Sequence, residues 1–198
     1  PRPRRSLANR MSGRNAQERW DAIYDQHRAS GDPDPFVALS EFLPEPPATA
    51  VDLAGGTGGT ALWLAANGYD TTIVDISPVA LNVAEKEATE KKVSITTTCH
   101  DLESGEPLGS LWDIAVCCNF YDPDFFTQLH TCVVPGGIVF VRVATVTNLE
   151  RHSKPSRKYL VESGELKDLL TGFEPLSHVE DWFDNRHEAR IIGRRAVD

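Results

Sequence analysis

The chain has 198 residues, 40% of them hydrophobic and 25% charged, with 14 Gly and 13 Pro, which describes a single globular domain and excludes collagen-like, coiled-coil and wholly disordered classes. Its formal net charge is −9, yet residues 1–20 hold six Arg against one Glu, so an acidic body carries one basic end. Nucleic-acid affinity rests on broad basic surfaces, so extended phosphate-backbone binding is excluded as an expectation.

Residues 1–14 read as a solvated basic tail, and residues 15–47 as a helical cap. Between Asn15 and about Ser30, Ala16, Trp20, Ile23 and Tyr24 fall at i, i+4, i+7 and i+8, one face of a helix that must dock on something. A second short helix is expected from Pro35 to Leu43, stopped by Pro44-Glu45-Pro46-Pro47. Residues 48–198 then read as one core.

Thr49 to Ala54 reads as a buried strand, Gly55 to Gly59 as a glycine loop, and Thr60 to Asn67 as a helix closed by Gly68. Asp70 to Ile76 is the second strand, and Ser77-Pro78 supplies the N-cap and first position of the next helix. Strands follow at Val93 to Cys99 and Trp112 to Asn119. A short helix begins at Asp122-Pro123, and Pro135-Gly136-Gly137 turns the chain into an apolar strand, Ile138 to Ala144. After a polar loop, Thr145 to Val161, Ser163 is expected to cap a helix. Glu174 to Trp182 and Arg186 to Arg194 read as a hairpin. The result is an α/β, Rossmann-like, mostly parallel sheet with an antiparallel C-terminal edge.

The stretch Val51-Asp52-Leu53-Ala54-Gly55-Gly56-Thr57-Gly58-Gly59 runs from a strand through a glycine bend into a helix, where doubly wound sheets bind nucleotides. Gly56 to Ala61 satisfies the loose G-x-G-x-x-A pattern, so a dinucleotide reading competes at this point. Asp75, at the end of the second strand, suits the ribose hydroxyls of either cofactor class. Asp52 separates the two classes. A pyrophosphate gains nothing from a nearby anion, whereas a ligand ammonium does; the competing reading is a carboxylate satisfied by loop amides.

These residues resemble a known family. VDLAGGTGG, TTIVDISPVAL, HDLE and the PGG turn look like successive motifs of class I S-adenosylmethionine-dependent methyltransferases. QERWDAIY, CCNFYDPDFF, KYLVESGEL and RHEARIIGRR are similar to small bacterial methyltransferases of the tellurite-resistance type. The resemblance implies a seven-stranded sheet and S-adenosylmethionine as cofactor, with S-adenosylhomocysteine as product. It further implies that Asp52 and the main chain at Ala54, Gly55, Gly56 and Gly58 hold the methionine part, and that Asp75 with Ile76 holds the ribose. Asp101 and Leu102 would meet the adenine, and Asn119 would close the methionine end. Ala54 stands where the family has its first glycine, and Asp122-Pro123 stands where related sequences carry a basic residue.

Trp20, Tyr24, Phe120 and Tyr121 are candidates for the substrate pocket, the first two because aromatic faces suit a sulfonium and the last two because they directly follow the fourth strand, where the transferred methyl should emerge; packing alone is the competing reading for each. Asp122 reads as a helix N-cap rather than a base. Histidines 27, 100, 130, 152, 178 and 187 show no ligand spacing, so no metal is expected. Cys99, Cys117, Cys118 and Cys132 form no C-x-x-C pair and read as reduced structural thiols. No apolar run approaches the ~20 residues of a spanning helix, and no secretory signal follows the Arg-rich start, so a cytoplasmic monomer or homodimer without membrane contact is expected. The expected activity is methyl transfer to a small molecule. An NAD(P)-dependent oxidoreductase and a non-catalytic S-adenosylmethionine-binding module are the alternatives.

Overall fold

The computed structural model describes residues 7–26 and 29–197, with side chains from residue 13 onward; the start of the basic tail and His27 lie outside the described residues. Five strands, β1 (Thr49–Leu53), β2 (Asp70–Asp75), β3 (Ile95–Cys99), β4 (Trp112–Cys118) and β5 (Val133–Ala144), pair in parallel. Two more, β6 (Phe173–Phe183) and β7 (Arg186–Arg195), add as an antiparallel hairpin. The order is β3-β2-β1-β4-β5-β7-β6, so β7 lies against β5 and β6 forms the edge.

Both faces of the central strands are buried, which is why they read as apolar runs in the sequence. Ala50, Ile114, Val116, Phe140 and Ile192 pack on one face with Val37 and Leu64. Val51, Leu53, Ala115, Cys117 and Val141 pack on the other with Phe126 and Leu166. Each large side chain so buried contributes about 1.5–3 kcal/mol. Helices α3 (Gly59–Ala66), α4 (Pro78–Lys91), α5 (Pro123–Gln128) and α6 (Glu165–Leu169) cover the sheet. The strand order reverses between β1 and β4, which opens a crevice at their carboxyl ends.

Several local expectations are corrected. Helix α1 spans Leu7–Tyr24, so it begins inside the presumed tail and ends six residues early; no proline interrupts residues 4 to 32. Ile23, assigned to its docked face, is 41% exposed. Helix α2 is only Pro35–Ala38, capped by Asp34, whose side chain accepts from the Phe36 amide at 3.0 Å. Gly164 at φ 78°, not Ser163, caps α6, because the chain needs a left-handed residue there. The loop 145–161 contains two 3₁₀ turns and closes through a parallel bridge between Thr145 and Val161, with buried Asn148 donating to the Thr145 and His187 carbonyls. Cys117 and Cys132 are buried, but Cys99 is exposed; all four cysteines are free thiols. Among the described residues, no helix is long and apolar enough to cross a membrane, and no group of three His, Cys, Asp or Glu could hold a metal ion.

Candidate cofactor and acceptor site

A cleft of about 600 Å³ lies over the carboxyl ends of β1, β2 and β4, within the range of small-molecule sites. Its floor is the bend between β1 and α3, where Ala54 (φ 54°) and Gly56 (φ 56°) take left-handed conformations. A Cβ added at Gly56 would come within 2.7 Å of the Tyr24 hydroxyl, so the floor and the cap touch only because a glycine stands there.

Asp52 lies beneath this bend and is 4% exposed. Its Oδ2 accepts one hydrogen bond, from the Ala61 amide at 3.1 Å in the first turns of α3. Burial pushes its pKa up to about 7; Asp75 and Asp34 add repulsion, and the Ala61 bond only partly opposes these effects. Among the described residues no cationic side chain forms an ion pair with it. The site therefore offers a costly buried carboxylate that a ligand cation would relieve.

Asp75, at the end of β2, accepts from the Gly56 amide at 2.9 Å through one oxygen and from the Ser77 amide at 2.9 Å through the other. Burial raises its pKa against these bonds. Each oxygen retains acceptor capacity toward the cleft, the arrangement a vicinal diol requires. Asp101 caps the 3₁₀ turn Leu102–Ser104 by accepting from the Glu103 amide at 3.0 Å, and a Cβ on Gly13 would meet its Oδ2 at 2.6 Å. Helix α1 thus passes directly over Asp101.

The cap is tied down at several points. The Ser77 hydroxyl donates to Asp21 of α1 at 2.5 Å. The Asp34 amide donates to the Thr60 hydroxyl at 3.0 Å in α3. The main-chain carbonyls of Gly31 and Asp32 lie 2.6 and 2.7 Å from where a Gly59 Cβ would stand. Trp20 and Tyr24 stack, centroids 5.7 Å apart, and line the cleft with Ala16. Arg19 donates to the Tyr159 hydroxyl at 2.6 Å, which joins α1 to the loop after β5.

At the other end of the cleft stand Cys118, the last residue of β4, then Asn119 and Phe120 just past it, and Arg142 of β5. Asn119 is left-handed (φ 64°), donates its amide to the Arg142 carbonyl at 2.9 Å, and accepts from Arg186 of β7 at 2.5 Å through its side-chain oxygen. Arg142 pairs with Asp34 at 2.6 Å and with Glu188 at 2.6 Å. Glu188, 2% exposed, also takes Arg190 at 2.8 Å and Arg186 at 3.5 Å.

Of the residues singled out from the sequence, the structure gathers Trp20, Tyr24, Asp52, Ala54, Gly55, Gly56, Asp75, Ile76, Asp101, Leu102, Asn119 and Phe120 around one cleft. Two stand elsewhere. Gly58 (φ 85°) starts α3, and its missing Cβ makes room for Ala84 of α4. Tyr121 packs against Phe126 and donates to Glu165 at 3.1 Å, away from the lining. Asp122 is an N-cap, accepting from the Phe125 amide at 2.6 Å. Sequence reasoning missed Asp34, Arg142, Arg186 and Glu188. The available signal was a lone Arg inside the apolar run Ile138 to Ala144 and a lone Glu inside the last strand.

Residues 50–137 match the methyltransferase domain family. No curated protein matches the chain. Solved structures share its fold. One comes from work on the conversion of a disulfide bond into a thioacetal group during echinomycin biosynthesis: 20% identical, TM-score 0.72, covering 91% of each chain. Another is TehB from Haemophilus influenzae, 18% identical, TM-score 0.68, covering 90% of this chain and 66% of that one. A third is the magnesium protoporphyrin IX methyltransferase of Synechocystis PCC 6803 with bound SAM, 16% identical, TM-score 0.63, covering 99% and 87%.

Proposed function

We propose that this class I S-adenosylmethionine-dependent methyltransferase acts on a small, polarizable acceptor, with a thiol as the leading class and a metalloid anion, a halide or a carboxylate as the others. Asp52 carries this reading: it is a buried carboxylate at a glycine bend, raised to about 7, and no cationic side chain among the described residues pairs with it. It takes the ammonium of the methionine part, Asp75 takes the ribose hydroxyls, and Asp101 takes the adenine amino group.

When bound, the cofactor supplies a methyl group already activated on a sulfonium. The chain's residues therefore position and shield more than they move protons. Trp20 and Tyr24 cover the cleft from α1 and exclude water. Phe120 lines the acceptor end. Burial pushes Tyr24 up to about 12, and burial together with Glu165 does the same for Tyr121, so both phenols stay protonated at neutral pH and neither is a base. The lining holds Asp32, Asp34, Asp52, Asp75, Asp101 and Glu103 against one Arg. That balance disfavours anionic acceptors and supports a neutral thiol, whose proton would leave to solvent as the new S–CH3 bond forms and the methyl–sulfonium bond breaks; the sulfur chemistry named for one structural relative supports the same class.

Calorimetry with S-adenosylmethionine, S-adenosylhomocysteine and NAD tests the cofactor, and S-adenosylhomocysteine release with a panel of thiols, tellurite, halides and carboxylates tests the acceptor. Binding of NAD alone overturns the reading. Tight S-adenosylhomocysteine binding without release on any acceptor turns it into a non-catalytic binding module.

A further inference from the structure

Glu188 is a fully buried carboxylate that gathers three guanidinium groups, and two of them reach opposite walls of the cleft. Through Arg142 it reaches Asp34, on the cap segment that passes over Gly59. Through Arg186 it reaches the side-chain oxygen of Asn119. Asn119 is one of four described non-glycine residues with positive φ, and it sits at the turn out of β4 where the acceptor end begins. Glycine adopts that conformation freely, while Asn bears a smaller cost than most side chains, which a hydrogen-bond partner on its side chain offsets. The main-chain bond to the Arg142 carbonyl fixes the amide of Asn119, and the Arg186 bond fixes its side chain. The third arginine, Arg190, stacks on Phe183 at 3.3 Å and is absent from the described residues lining the cleft.

We propose that Arg186, steered by Glu188, is a positioning residue for methyl transfer: it holds Asn119 in its left-handed conformation and so sets the main chain that faces the methionine end and the reacting methyl. The proposal rests on the function proposed above. It differs from an acceptor-binding role, in which Arg186 would act on the substrate directly. It also differs from simple packing, which Arg190 shares.

A double-substitution cycle separates these roles. Arg186→Met is expected to weaken S-adenosylhomocysteine binding about fivefold, the scale of one left-handed side chain left unsupported, and to lower kcat more than it raises the acceptor KM. Glycine needs no support at φ 64°, so in an Asn119→Gly background Arg186→Met should add less than twofold to either loss. Arg190→Met should lower the melting temperature while leaving affinity and kcat within twofold. The same cycle read as melting temperatures tests the Arg186–Asn119 link without any methyl transfer. Additive losses in the double variant, or an Arg186→Met effect confined to the acceptor KM, overturn the positioning role. Failure of the parent protein to bind S-adenosylhomocysteine, with the thermal coupling intact, overturns instead the function on which it rests.

Discussion

The two ends of the cleft are built by different means. The floor at β1 and β2 comes from one stretch of chain, residues 52 to 77, and is held by main-chain bonds: Gly56 and Ser77 amides to Asp75, and the Ala61 amide to Asp52. The acceptor end comes from residues far apart in sequence, Asp34, Asn119, Arg142, Arg186 and Glu188, and is held by side-chain ion pairs. A contiguous, main-chain site tolerates little change in sequence and leaves a motif. An assembled, side-chain site leaves none, and its charge balance can be altered by single substitutions without disturbing the nucleotide floor.

The largest expected effect lies on the floor. In the function proposed above, Asp75→Ala removes the ribose acceptor along with that of two amides, so S-adenosylhomocysteine affinity should fall by at least about tenfold to a hundredfold, the loss of one hydrogen bond to a charged group at 1.5–3 kcal/mol. Calorimetry checks it. If affinity stays at the parent's level, the contrast between a main-chain nucleotide floor and a side-chain acceptor end has no basis.

Next comes the pH dependence of Asp52. Its folded pKa, about 7 without ligand, stands above the ordinary 3.8, so the folded chain holds a proton that the unfolded chain has lost. The stability contributed by the protonated group is fully present below about pH 3.8 and is lost as pH rises through about 7. If Asp52 takes the ammonium as proposed, binding needs its ionised form, so S-adenosylhomocysteine affinity should fall about tenfold from pH 8 to pH 6. Asp52→Asn should flatten that profile and raise the melting temperature of the ligand-free protein at pH 8 more than at pH 5. A profile unchanged by the substitution would assign the titration elsewhere.

The same contrast explains what could be read from sequence. The strands were legible because each central one is buried on both faces, and the glycine bend and Ser77 cap were legible because their chemistry is local. The start of α1 was not, since residues 7–14 carry helix formers but no apolar stripe beyond Leu7 and Met11 and are interrupted by Ser12 and Gly13, and the helix is held by contacts of Asp21 and Arg19 with distant partners. Gly58 and Tyr121 stand outside the cleft lining for a related reason: position in a motif does not say what a residue packs against. Arg142 looks like an isolated charge in an apolar strand and Glu188 like one charge among the arginines of β7, and only the register of β5 with β7 brings them together.

An intermediate effect is expected at the cap. Trp20→Ala removes the ring stacked on Tyr24 and opens the cleft to water, so affinity should fall several-fold, at about 0.5–1.5 kcal/mol for an aromatic pair beyond its buried area. Hydrogen exchange of residues 13–24 should quicken in the same variant. If affinity falls with exchange unchanged, Trp20 touches the ligand; if exchange quickens with affinity unchanged, it only packs α1.

The smallest effects should come from the two tyrosines. Tyr24 is half-buried beside Asp52 and Asp75, and Tyr121 is bonded to Glu165. Burial makes losing a phenolic proton costly in both places, and the neighbouring carboxylates add to that cost, which is why both groups stand near 12. At pH 7 to 8 each can donate a hydrogen bond but cannot serve as a base, so Tyr24→Phe and Tyr121→Phe should each lower kcat only a few-fold. Tyr24→Phe should have the larger effect, since its hydroxyl lies over Gly56 in the cleft while that of Tyr121 faces Glu165. A loss beyond about a thousandfold in either would be the scale of an essential proton-transfer group. It would mean that the acceptor end performs acid–base chemistry, and that positioning alone does not account for the reaction there.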